Sequence, residues 1–152
     1  MGLNLLLLGA GSHGQEVREI AEFLHIFQNI DFLDDDTTKP EGIGAWNEIK
    51  ELKGNYNSAI VAVGDEYTRK LWFAKLIDAG YMIPTLVHPS AIVSQNATIG
   101  TGTVICARAT ISSGAQVGTG CIISAGVTIG RDEDLNDWTH ISTAGVVNWT
   151  QK

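Results

Sequence analysis

The segment Gly9-Ala10-Gly11-Ser12-His13-Gly14 places three glycines where a chain can wrap a phosphate. The spacing is G-x-G-x-x-G, and its chemistry is anion binding. Glycine lets the backbone turn tightly and come close to a ligand, and a helix that follows offers unpaired N–H groups and a positive dipole end. Two more groups could complete such a site. Asp34-Asp35-Asp36 lies about 20 residues on, where a dinucleotide fold holds a ribose hydroxyl. Gly64-Asp65 closes a third apolar run. His13 has two readings, as a ligand contact or as a histidine that hydrogen-bonds locally at a helix start.

The elements around these residues suit the task. Leu5 to Leu8 is a short apolar run, expected as a buried strand. Val17, Ile20, Ala21 and Leu24 then recur at helical spacing. Further strands are expected over Ile30 to Leu33 and Ala59 to Val63, with a helix carrying Phe73, Leu76, Ile77 and Gly80 on one face. That order, β-α-β-α-β-α, predicts a Rossmann-like parallel sheet over residues 1–85, with every ligand candidate at the carboxyl end of a strand. One such half is mononucleotide-sized, whereas an NAD site uses two. A nucleotide or nucleotide sugar is the expected ligand, and a turn that needs glycine only for its shape is the alternative. A nicotinamide oxidoreductase would rest on the glycine spacing alone.

Residues 86–152 carry a different signal. Val93, Ile99, Ile105, Ile111, Val117, Ile123, Ile129, Leu135, Ile141 and Val147 recur at every sixth position, each followed by a small or polar residue. Hexapeptide repeats mark a parallel β-helix. The aliphatic residue should point inward on each side of a triangular coil, and the small residue should let the chain turn the corner. Three hexads close a coil. Val93, Ile111, Ile129 and Val147 should then form one stack, Ile99, Val117 and Leu135 a second, and Ile105, Ile123 and Ile141 a third. Three coils are only ~15 Å tall at strand spacing and carry no recognisable cap, which predicts a homotrimer. Glu133 falls where most hexads carry a small residue, so it should bulge or turn outward.

Composition narrows the function classes. The 152 residues carry a formal charge of −7 with no basic run, which argues against nucleic acid. The amino end lacks signal-peptide and myristoylation patterns, and no apolar run is long enough to span a membrane. A cytoplasmic protein is expected. Cys106 and Cys121 have no metal spacing and read as small interior residues. Trp46 and Trp72 read as packing residues. Trp138 has two readings, one of which places it on an outer face at a subunit contact.

Taken in order, Gly-Ala-Gly-Ser-His-Gly at 9–14, Leu-Asp-Asp-Asp at 33–36, Val-Gly-Asp at 63–65 with Arg69, Leu-Val-His-Pro-Ser-Ala at 86–91 and the hexads resemble one family. It is that of bacterial sialic acid O-acetyltransferases and UDP-amino-sugar N-acetyltransferases. The resemblance covers nearly the whole chain. It implies a nucleotide-sugar domain followed by a left-handed β-helix that takes acetyl-CoA as co-substrate, in a homotrimer. It also implies that Gly9, Gly11, Ser12, His13 and Gly14 run along the phosphates. Asp35 and Asp36 would lie near base or ribose, with Gly64 and Asp65 across the crevice. His140 would sit close to the thioester.

Three positions depart from the family pattern. Its general base stands nine residues before the histidine of the His-Ile-Ser segment, followed by an acid; here that pair is Arg131-Asp132. A guanidinium cannot take a proton near neutral pH, but it can bind a phosphate or carboxylate. Asp132, Glu133, Asp134 and Asp137 surround it, as a solvated loop or as a cage of ion pairs. Trp149 replaces the glycine that follows Asn148, and the chain stops at Lys152, several coils short of the family length. The implied activity is acetylation of a nucleotide-linked amino sugar or of sialic acid. The alternative is a trimeric nucleotide-sugar-binding or scaffold protein without turnover.

Overall fold

The structure is a computed structural model that describes residues 2–148, so the expectation about Trp149 lies outside the described residues. The chain divides into two compact units, Met1–Pro84 and Thr85–Lys152.

In the first unit β1 (Leu3–Leu8) is central, with β2 (Phe27–Leu33) on one side and β3 (Ser58–Val61) on the other, all parallel. Leu5 to Leu8 are wholly enclosed. A strand covered on both faces needs no polar alternation, which explains the unbroken leucines. β2 starts earlier than expected because exposed Gln28 and Asn29 begin its pairing, where hydropathy has no signal. β3 ends earlier because β1 gives way to the glycine turn. The order β2-β1-β3 puts a topological switch point between β1 and β3, the place where open α/β sheets leave a ligand crevice.

Helix α1 (Ser12–Leu24) buries Gly14, Val17, Ile20 and Ala21; of the expected face, Leu24 is only half-buried. The strict strand–helix alternation fails between β2 and β3. Two short 3-10 turns, Trp46–Ile49 and Glu51–Gly54, stand there in a stretch broken by Pro40, Gly42 and Gly44. Helix α2 (Glu66–Asp78) also departs from expectation. Its buried residues are Leu76 and, against its charge, Arg69; Ile77 is about half exposed and Gly80 lies past the helix end. Trp46 is buried and meets Trp72 edge-to-face at 5.1 Å, as packing residues do.

The second unit is a parallel β-helix with three faces. One carries β5 (Ile92–Val93), β8 (Thr110–Ile111), β11 (Thr128–Ile129) and β14 (Val146–Val147). The next carries β6 (Thr98–Ile99), β9 (Gln116–Val117) and β12 (Asp134–Leu135). The third carries β4 (Leu86–Val87), β7 (Val104–Ile105), β10 (Ile122–Ile123) and β13 (His140–Ile141). Residues 18 apart are in register throughout, so the three aliphatic stacks form as expected. The repeat starts one hexad earlier, at Val87 opposite Ile105. Ile105, Ile111, Val117, Ile123, Ile129, Leu135 and Val147 line the interior with the small residues Ala109, Ala115, Cys121 and Val127. Each fully buried aliphatic side chain contributes about 1.5–3 kcal/mol. Cys106 and Cys121 are both buried.

The corners work differently from expectation. Backbone φ is positive at 102, 108, 114, 120, 126, 132, 138 and 144, three residues after each aliphatic position from Ile99 to Ile141. That residue makes the turn. The small residue directly after the aliphatic one instead allows coils to approach: a methyl at Gly100 would lie 2.5 Å from the carbonyl carbon of Gly118. Glu133 corrects another expectation. It is 2% exposed, in the column of Ala97 and Ala115. Its carbonyl keeps the regular ladder bond from Gln116 N–H at 2.8 Å, so the coil does not bulge and the side chain follows the column inward.

Candidate functional site

The carboxyl ends of β1, β2 and β3 assemble the first group of candidates. The turn after β1 opens with Gly9 at φ +116°, a conformation other residues rarely hold. A methyl there would lie 2.8 Å from Val63 Cγ1 and 2.9 Å from Ala62 O, so the turn lies directly against the end of β3. Gly11 is the N-cap of α1 and contributes no side-chain bond, and no acidic residue stands in the first turn. The helix therefore opens with its N–H groups and positive end available to an anion. Ser12 is exposed and His13 half-buried, its Nδ1 3.4 Å from the Glu16 carboxylate. Gly14 packs its Cα face onto Gly9, with no room for a side chain.

The three aspartates after β2 divide the work. Asp34 is the structural one: Oδ2 accepts from Ala10 N–H at 2.8 Å and Oδ1 from Asp36 N–H at 2.8 Å, tying the glycine turn to the acidic loop. Asp35 accepts from Trp46 N–H at 2.8 Å, while the Trp46 indole donates to Leu33 O at 3.0 Å. Asp36 accepts from the hydroxyl and N–H of Thr38, which hold its carboxyl below the usual range. Asp35 and Asp36 are exposed at the edge, each with one carboxylate oxygen outside these bonds.

Beyond β3, Gly64 and Asp65 are exposed. Asp65 is the N-cap of α2, accepting from Thr68 N–H at 2.9 Å and from its hydroxyl at 2.6 Å; these bonds lower its carboxyl pKa. Arg69, one turn later, reaches back to the carbonyls of Val63 and Gly64. Gly9, Gly11, Ser12, His13, Gly14, Asp35, Asp36, Gly64 and Asp65 thus share one edge of one sheet. Asp34 and Arg69 are the residues that sequence reasoning passed over as ligand-edge builders. Asp34 had a signal, as the first polar residue after a buried strand.

In the β-helix, His140 stands exposed on β13, its Nε2 3.3 Å from Ser124 Oγ in the coil below. Arg131 and Asp132 occupy the exposed corner after β11, with Asp132 at φ 60°. Nine residues separate Arg131 from His140, half a coil, so the chain does not bring the two together. Arg131 makes no ion pair among the described residues; Asp132, Asp134 and Asp137 are exposed, as a solvated loop requires, whereas Glu133 is buried. Asp137 instead accepts from Thr119 N–H at 2.8 Å.

Comparison with known proteins supplies the context. Residues 4–76 match the family described as the PglD N-terminal domain. The acetyltransferase domain of PglB from Neisseria gonorrhoeae FA1090, solved with acetyl coenzyme A, superposes with a TM-score of 0.90 at 32% identity, covering 96% of this chain and 73% of that one. The chain belongs to the bacterial UDP-amino-sugar N-acetyltransferase and sialic acid O-acetyltransferase family. Its architecture, a Rossmann-like unit followed by a left-handed parallel β-helix, is the family's. UDP-N-acetylbacillosamine N-acetyltransferase of Bacillus subtilis (strain 168) is 34% identical over 111 residues, 68% of this chain. The chain spans about half (51%) of that relative's length. A GDP-perosamine N-acetyltransferase variant from Caulobacter crescentus, solved with CoA and GDP-perosamine, shares the fold with a TM-score of 0.73 at 21% identity, covering 95% of this chain and 88% of its own.

Proposed function

We propose that the chain takes part in acetyl-CoA-dependent N-acetylation of a nucleotide-linked amino sugar. The observation that carries this is the likeness, over almost the whole chain, to an acetyltransferase domain solved with acetyl coenzyme A. In this reading the first turn of α1 and the glycines 9, 11 and 14, with Ser12 and His13, take the diphosphate. Asp35 and Asp36 flank the base or ribose, and Gly64 and Asp65 close the far side. Acetyl-CoA lies along the β-helix, with His140 near its thioester. The acceptor is an amine because the named relatives are N-acetyltransferases; O-acetylation of sialic acid has no such support. The assembly is a homotrimer, and the address is the cytoplasm, where acetyl-CoA and nucleotide sugars occur together.

Arg131 favours a second reading, a trimeric nucleotide-sugar-binding or scaffold protein without turnover. An amine must lose a proton to attack a thioester. A guanidinium stays protonated near neutral pH and cannot accept it, and loss of a general base typically costs 10²- to 10⁴-fold in rate. The deciding experiment is thiol release from acetyl-CoA with a panel of UDP- and GDP-linked amino sugars, by wild type and Arg131→His. Turnover by the wild type upholds the enzyme and places the base elsewhere. Turnover only by Arg131→His upholds the binding protein. No nucleotide binding by either defeats both readings.

A further inference from the structure

Arg69 is 3% exposed, yet it carries a full charge. Such a group persists in a protein interior only where fixed partners replace its water. Among those partners, Nη1 donates to Gly64 O at 2.8 Å and to Val63 O at 3.3 Å. Both carbonyls lie where β3 has stopped pairing, just past the bond from Ala62 N–H to Leu8 O at 2.8 Å. Carbonyls at a strand end have no ladder partner, and here one guanidinium collects two of them.

The consequence lies on the other side of the same peptides. A trans peptide points its C=O and its N–H in opposite directions. Drawing the Val63 and Gly64 carbonyls toward Arg69 turns the N–H groups of Gly64 and Asp65 away from it, on a loop whose residues 64 and 65 are exposed. The same loop lies against Gly9, through Ala62 O and Val63 Cγ1. One buried side chain therefore shapes the β3 wall of the switch-point crevice and the surface on which the glycine turn rests. We infer that Arg69 is a positioning residue for the nucleotide sugar: it aims the Gly64 and Asp65 N–H groups at an anionic oxygen of the nucleoside diphosphate. This rests on the reading of the edge as a nucleotide-sugar site.

The discriminating variant is Arg69→Lys. It keeps the charge and most of the stem but replaces a planar fork with a single point donor. Arg69→Met removes the charge as well. UDP and acetyl-CoA affinities are measured by titration calorimetry on the full chain, beside thermal melting and ligand-free amide spectra. The expected result for Arg69→Lys is at least tenfold weaker UDP binding with acetyl-CoA affinity unchanged. Amide shifts should move at Gly64, Asp65 and Gly9. A merely structural role would lower the melting temperature and leave the UDP affinity of the folded protein unchanged. Should Arg69→Met fail to fold, Arg69→Lys still decides. A folded Arg69→Lys whose UDP affinity stays within twofold of wild type overturns the inference. So do amide shifts confined to α2, which need no ligand. If wild type binds neither UDP nor GDP, the site reading itself is lost and the inferred substrate role with it.

Discussion

Gly14→Ala should destabilise the first unit, although the same exchange in an ordinary helix interior stabilises by about 1 kcal/mol. A methyl on Gly14 would sit 2.8 Å from the carbonyl carbon of Gly9, nearer still to its oxygen, and 3.4 Å from Phe32 Cε1. Carbon atoms rest at about 3.5–4.0 Å, so α1 must lift from the β1 turn by most of an ångström. The obstacle is backbone, and that backbone is held at both ends: Gly9 N–H donates to Leu33 O at 2.8 Å, and Ala10 N–H donates to Asp34 at 2.8 Å. Rotamer change cannot relieve it. Overpacking of this kind costs about 1–3 kcal/mol, and more where the wall is rigid. Set against the propensity gain, the net loss should be up to about 2 kcal/mol. In a unit of this size that is a fall of up to about 15 °C in melting temperature.

Segment-resolved hydrogen exchange is the suitable assay, because two units can unfold separately and one melting curve would mix them. Protection should fall in β1, α1 and β2 and stay level in the β-helix. UDP binding should weaken as well, since the displaced helix end is the proposed phosphate site. Unchanged or increased protection in α1 would refute the close-packing argument and leave Gly14 as an incidental helix residue.

The corners of the β-helix give a matched pair. Ala144, at φ 60°, should gain roughly 0.5 kcal/mol as glycine, because relief of left-handed strain outweighs the chain entropy. Gly120→Ala should lose about 1–2 kcal/mol from backbone strain alone. Its methyl would also lie 3.0 Å from Trp138 Cη2 and inside the rest of the ring, so denaturant melts should be accompanied by a shifted tryptophan emission. Burial first, and then the bond to Asp31, push the Tyr56 hydroxyl up to about 12; burial pushes Tyr81 up to about 12. A raised pKa adds stability that is whole below about pH 10 and lost as pH rises toward 12. The first unit should weaken over that window, and Tyr56→Phe with Tyr81→Phe should flatten the loss in melts taken at stepped pH. Burial also raises the Cys121 thiol, which should resist Ellman's reagent until the β-helix unfolds.

The parts of this molecule legible in its sequence are those where one physical demand repeats. The interior of the coil asks for a branched aliphatic every sixth residue, so face, register and stack could all be read before any coordinate. The glycine turn was legible because three glycines serve one close approach. The corner residue was not, because Arg108, Asp132, Trp138 and Ala144 tolerate a left-handed backbone that only glycine advertises. Arg69 was hidden for a related reason. A charged residue on a helix is ordinarily solvated, and only the carbonyls left behind by a short β3 make its burial sustainable.

The acidic loop shows why composition could not rank its members. Asp34, Asp35 and Asp36 are identical in type and adjacent in sequence, yet only Asp34 has both oxygens committed to backbone donors, one of them in the glycine turn. By occupying the Ala10 N–H, its carboxylate withdraws that donor from any phosphate. The anion site therefore moves forward along the turn, onto the opening of α1. The negative charge also makes the rear of the turn unattractive to a diphosphate. Asp34→Asn can keep the Ala10 bond through its amide oxygen but gives up the Asp36 bond, because its NH2 would face another donor, while removing that repulsion. On this argument UDP should bind more tightly to Asp34→Asn at low ionic strength, and the difference should shrink with added salt. Weaker binding with normal melting would mean that the carboxylate itself takes part in holding the nucleotide.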